Sequence, residues 1–140
     1  MTDPDADADA HDARPRPRPR ELAMCAAWNG GLTRALTTTT GEAITVVFPG
    51  HWSHGFGPDF ADAMLDVGGV LQTGAVEIHT RASDWVTHGH HLDARYNDVI
   101  LHVVSIDDLP ETRRADGRIV DVALLNVADE VLFAIDRRLP

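Results

Sequence analysis

Gly68-Gly69 separates two strand-like runs, residues 59–67 (DFADAMLDV) and 70–80 (VLQTGAVEIHT). Adjacent glycines accept the left-handed backbone that a two-residue hairpin turn requires. The runs are therefore expected to fold back as antiparallel neighbours. Positions roughly symmetric about the turn then become cross-strand partners. Asp59 is expected near His79, and Asp62 near Glu77, so backbone pairing alone gathers three or four polar groups in one place.

The elements around this hairpin follow from local pattern. Residues 21–29 (ELAMCAAWN) favour helix and stop at Gly30-Gly31. Residues 37–41 read as a polar turn, and the β-branched run 43–48 (AITVVF) as a strand ended by Pro49-Gly50. Residues 51–58 (HWSHGFGP) read as a loop. Residues 83–97 are polar and are expected to hold one short helix with Ser83 or Asp84 as its cap. Residues 99–106 (VILHVVSI) are the most apolar strand and are expected to be central. A charged loop at 107–117, a strand at 118–125 and a short closing helix or strand at 127–138 complete the order. The expected class is α/β or α+β: a small mixed sheet with an αβββαβ-like core and a central β-hairpin.

Residues 1–20 alternate Asp with Ala and then Arg with Pro. They offer nothing apolar to bury, so they are expected to form a disordered, partly polyproline-like tail. Residues 21–140 are expected to form a single domain. The lone cysteine, Cys25, excludes an intramolecular disulfide and reads as a small buried hydrophobe. No apolar run is long enough for a transmembrane helix, and the N-terminus lacks the apolar core of a secretory signal. A cytoplasmic location and no membrane partner are expected. The formal net charge is −10, and the chain contains Arg but no Lys. Such acidity argues against passive adhesion to nucleic acid, although carboxylates that hold a metal are themselves acidic.

Seven of the eight histidines lie between positions 51 and 102, and histidine clustered with Asp and Glu is the composition of metal sites. In the run Ala75-Val76-Glu77-Ile78-His79, strand alternation places Glu77 and His79 on one face and the apolar pair on the other. A carboxylate and an imidazole so placed can share one metal ion, or one can bind metal while the other moves a proton. An exposed polar face on an edge strand is the alternative. His88, His90 and His91 with Asp93 form a dense donor set, and on a helix His88 and His91 would share a face. His102 sits within an apolar strand and reads either as a core histidine bonded to a neighbour or as a metal ligand. Trp52, Trp85 and Tyr96 read as packing groups with a polar handle.

Four motifs in order resemble a bacterial family known as domain of unknown function 2851. They are Gly57 to Phe60 (GPDF), Gly74 to His79 (GAVEIH), Ser83 to His90 (SDWVTHGH) and Tyr96 to Val104 (YNDVILHVV). The resemblance spans roughly residues 22–125. Members of that family are longer, which implies that this chain corresponds to an N-terminal portion. A more distant resemblance is to the PD-(D/E)XK nuclease core, a restriction-endonuclease-like fold. There an Asp opens the second strand and an acid-x-Lys lies on the third. Pro58-Asp59 and Glu77-Ile78-His79 occupy those places, with His79 where the family has Lys. That resemblance implies a magnesium-type ion on Asp59 and Glu77, activating water against a phosphodiester.

Three functions are open at this level. The first is a divalent-metal-dependent phosphodiesterase acting on nucleic acid, with Asp59, Glu77 and His79 catalytic and Mg²⁺, Mn²⁺ or Zn²⁺ as cofactor. In it Asp62 and His102 support the site, and Arg81 or Arg95 meets phosphate. The second is a non-catalytic metal-binding module built on His79, His88, His90 and His91. The third is a protein-interaction domain using the Pro-Arg tail.

Overall fold

The computed structural model describes residues 17–140. Most of the Asp/Ala and Pro/Arg tail, residues 1–16, lies outside the described residues. Its last residues meet the body: Pro19 is buried, and Arg20 Nε donates to Asp136 Oδ1 at 2.6 Å.

The chain runs α1 (Glu21–Asn29), β1 (Ala35–Thr37), β2 (Ala43–Phe48), β3 (His51–Trp52), β4 (Phe60–Val67), β5 (Val70–Arg81) and α2 (Asp84–Thr87). Two 3₁₀ turns follow, His90–Leu92 and Ala94–Tyr96, then β6 (Val99–Ile106), β7 (Thr112–Arg113), β8 (Ile119–Leu124) and α3 (Asp129–Asp136). The fold is α+β. One mixed sheet has the order β1-β2-β4-β5-β6-β8-β7, with β3 also paired to β4. The β5–β6 and β6–β8 pairs are parallel and the others antiparallel. The sheet curls until Thr39 N–H, just past β1, donates to Val122 O on β8 at 2.8 Å.

Gly68 and Gly69 have φ of 59° and 91°, so the β4–β5 turn uses left-handed backbone at both central positions. Val67 pairs with Val70, and the register holds to Ala63–Gly74. An extra residue then enters β4 as a bulge, with Asp62 at φ 59°. The bulge returns Phe60 to the core opposite Val76 and leaves Asp62 exposed. The expected pairing of Asp62 with Glu77 is therefore not formed, and Asp59 instead sits beside Glu77 and Ile78.

Two apolar layers sandwich the sheet. On one face Met24, Ala27 and Trp28 of α1 and Leu132 of α3 pack on Phe60, Leu65, Val76, Ile78, Leu101 and Val103. On the other, Trp85 and Tyr96 pack on Ala75, Val99 and Val120. β6 is interior, with parallel partners on both sides, which accounts for its nearly unbroken apolar run. The short strands β1, β3 and β7 were not expected. The 83–97 segment holds less helix than expected. α2 stops after one turn, and Ser83 bonds to Asp108 instead of capping the helix.

Gly74 lies where β5 begins to pair with β6. A Cβ there would stand 2.7 Å from the Asp98 carbonyl oxygen and 2.6 Å from Ile100 Cγ2. Gly74→Ala is expected to cost about 1–3 kcal/mol by forcing the two strands apart. Urea denaturation measures this, and unchanged stability would show that the β5–β6 contact is looser than described.

Candidate functional site

β4 begins at Phe60, opposite Val76, so residues 77–81 of β5 run past their antiparallel neighbour. The amides of Ile78 and Thr80 then lack a β4 carbonyl to bond, and an unpaired strand amide is costly. Carboxylates replace the missing strand. Ile78 N–H donates to Asp59 Oδ2 at 2.8 Å, and Thr80 N–H donates to Glu21 Oε1 at 2.9 Å. Reciprocally, Asp59 N–H donates to Glu77 Oε1 at 3.0 Å. The two acids are thus neighbours, and the Glu77 charge acts on the Asp59 carboxyl.

On β5, Val76 and Ile78 enter the main core while Glu77 and His79 face the second layer, as strand alternation expects. Glu77 is 4% exposed and His79 is 2% exposed. On the adjacent parallel strand His102 pairs with Glu77 and is fully buried. The second layer supplies the remaining imidazoles. Gly89 at φ 74° reverses the chain after α2 and turns His90 inward, where Tyr96 stacks on it at 3.8 Å. His90 Nε2 lies 2.9 Å from Glu77 Oε2, and His79 Nε2 lies 3.3 Å from the same oxygen. His79, His88 and His90 each bring a ring nitrogen within 4.8 Å of the other two.

A hydrogen-bond chain backs this cluster. His79 Nδ1 is 2.8 Å from His102 Nε2, and His102 Nδ1 is 3.0 Å from Thr112 Oγ1. One set of neutral tautomers satisfies it: Thr112 O–H donates to His102, His102 Nε2–H to His79, and His79 Nε2–H to Glu77 Oε2. Burial drives the electrostatics. It pushes Asp59 up to about 8, with the Glu77 carboxylate adding to the rise, and Glu77 up to about 7. It lowers His79 to about 2, helped by His102, His90 and His88, and lowers His102 to about 3. The acid pair thus keeps a proton into the neutral range, while both buried imidazoles are neutral there.

The structure therefore brings together Asp59, Glu77, His79, His88, His90 and His102. Asp62 points away in its bulge, and His91 is not part of the cluster, because α2 ends before it. Arg95 is engaged by Asp93, and Arg81 is exposed. Glu21 and Thr112 were not anticipated. A glutamate in the first turn of a helix is ordinary, so Glu21 gave no signal. Thr112 lies in a segment that reads as a charged loop. Beside Asp59 opens a cavity of about 320 Å³, walled by Glu21, Leu22, Cys25, Trp52 and His54.

A family model described as "Protein of unknown function (DUF2851)" matches residues 25–139. The chain belongs to the DUF2851 family. The match encloses every clustered residue from Asp59 to Thr112 and leaves out Glu21. No curated protein and no solved structure matches this DUF2851 chain. Among the described residues, no helix is long and apolar enough to cross a membrane.

The buried titrations set a pH dependence for metal-free protein. Asp59 and Glu77 fold with values above their ordinary 3.8 and 4.5, so their contribution is present below about 4 and is lost as pH rises through 8. His79 and His102 fold below their ordinary 6.5, so theirs is present above 6.5 and is lost as pH falls toward 3. In chelator, Asp59→Asn should flatten the fall in melting temperature between about pH 6 and 8 that the wild type shows. A variant profile parallel to the wild type would contradict the raised titration of this acid pair.

Proposed function

We propose that this chain is a divalent-metal-dependent hydrolase of phosphodiester bonds, with nucleic acid as its substrate. The observation that carries the reading is one buried carboxylate oxygen, Glu77 Oε2, facing two imidazole nitrogens at 3.3 and 2.9 Å. It lies beside a second, half-buried acid, Asp59, that lines a cavity. These residues suit a metal, because neutral imidazoles and a carboxylate are its usual donors, and His79 and Glu77 are each held by a further bond. When bound, a divalent ion supplies Lewis-acid activation of the phosphoryl oxygen and acidifies water.

The chain's own residues supply the rest. Glu77 and His79 would hold the ion. Asp59 lies beside Glu77 and lines the cavity, so it is placed to exchange a proton with a leaving oxygen there. Arg81 is exposed and, among the described residues, forms no ion pair, so it is placed to meet phosphate, whereas Arg95 is committed to Asp93. Supporting this reading is the order of a helix, an antiparallel hairpin with Asp59 at its opening, Glu77 and His79 on the next strand, and a parallel strand after the crossover. The PD-(D/E)XK resemblance implies that order, with His79 in place of Lys.

Single- and double-stranded DNA and RNA are the substrates to assay, with Mg²⁺, Mn²⁺ or Zn²⁺. Metal-dependent cleavage that chelation abolishes and that Glu77→Ala slows by about 10²–10⁴-fold is the expected result. Cleavage unaffected by Glu77→Ala, or none with any of the ions, would defeat the proposal.

A further inference from the structure

The rings of His79, His88 and His90 form a nearly equilateral triangle, with centroids 5.1, 5.3 and 5.6 Å apart. Three imidazoles pointing at one ion about 2.1 Å from each nitrogen, at tetrahedral angles, would hold their centroids about 5.2 Å apart. Glu77 Oε2 lies 3.3 and 2.9 Å from His79 Nε2 and His90 Nε2, while His88 groups with those two imidazoles and not with the carboxylate. The outer bonds needed to orient such donors are present. His102 holds the far nitrogen of His79, Asp59 N–H holds the other oxygen of Glu77, and Tyr96 stacks on His90.

Asp59 is differently placed. One of its carboxyl oxygens is taken by Ile78 N–H, and it does not group with the three imidazoles. A donor set of three imidazoles and one carboxylate suits zinc and its first-row neighbours. Magnesium prefers an all-oxygen shell with retained water.

We infer that the site takes a first-row transition ion of zinc type, held by Glu77, His79, His90 and His88, with Asp59 outside the ligand set. This rests on the reading above that the cluster binds a divalent ion, and it replaces the two-carboxylate magnesium site that the sequence suggests. His88 is the exposed member of the set and forms its solvent-facing side.

Cobalt(II) tests the assignment, because its visible absorption reports its ligands independently of turnover. Protein purified without a histidine tag and stripped by chelator should bind one Co²⁺ per chain. The band should have the intensity of four- or five-coordination and persist in a large excess of Mg²⁺. His88→Ala, at an exposed position, should weaken binding at least about tenfold and shift the band while leaving the circular dichroism of the metal-free protein unchanged. His91→Ala, one residue outside the set, should change neither. No band, ready displacement by Mg²⁺, or an unaltered spectrum in His88→Ala would overturn the inference. The expected band without cleavage of any nucleic acid would uphold the ligand set and remove the hydrolase reading. Magnesium-supported cleavage by protein that gives no cobalt band would do the reverse.

Discussion

The reciprocal bonds between Asp59 and residues Glu77 and Ile78 of β5 underlie the rest of the site. β5 outruns β4, and a strand that loses its neighbour must find acceptors elsewhere. Asp59 and Glu21 provide them, while the Asp59 amide returns a bond to Glu77. A longer β4 would have offered backbone carbonyls to Ile78 and Thr80, and no acid would then be needed at this edge. The missing strand thus places carboxylates in a half-buried notch. It also opens the cavity beside them, because nothing continues β4 past Phe60.

Burial then turns a structural device into a chemical one. A carboxylate in a dry site ionises reluctantly, and two in contact share a proton. An imidazole in the same site stays neutral, and an ion would take the place of a proton on the nitrogen that faces Glu77. The histidines complete the balance without added charge. His79 is fastened behind by His102 and Thr112, and in front it meets the oxygen that His90 also meets. Satisfied on every side, the network avoids the roughly 1–3 kcal/mol that each unpaired buried polar group costs. It joins four parts of the chain: the hairpin, the turns after α2, β6 and β7.

What the sequence made legible follows from periodicity and turn chemistry. The Gly-Gly step, the helix at 21–29, the apolar β6 and the shared face of Glu77 and His79 are local patterns, and the structure has each of them. The exact register was not legible. The bulge at Asp62 moves the pairing, and an aspartate in left-handed backbone carries no distinct pattern in its neighbours. The choice of His90 over His91 depends on Gly89, whose positive φ reverses the chain after a single helical turn. Partnership between residues as distant as Glu21 and Thr80, or His102 and Thr112, comes from packing of whole layers. Strands of two or three residues such as β1, β3 and β7 are too short to show a period.

The central claim is that Glu77, His79 and their neighbours point at one place and can hold one ion there. An anomalous difference map from crystals of the chain grown with Zn²⁺, recorded on both sides of the zinc absorption edge, tests this most directly. The account predicts a single strong peak about 2 Å from Glu77 Oε2, His79 Nε2 and a nitrogen of His90. Zinc bound only elsewhere on the chain, with Glu77 still hydrogen-bonded to both imidazoles, would contradict it.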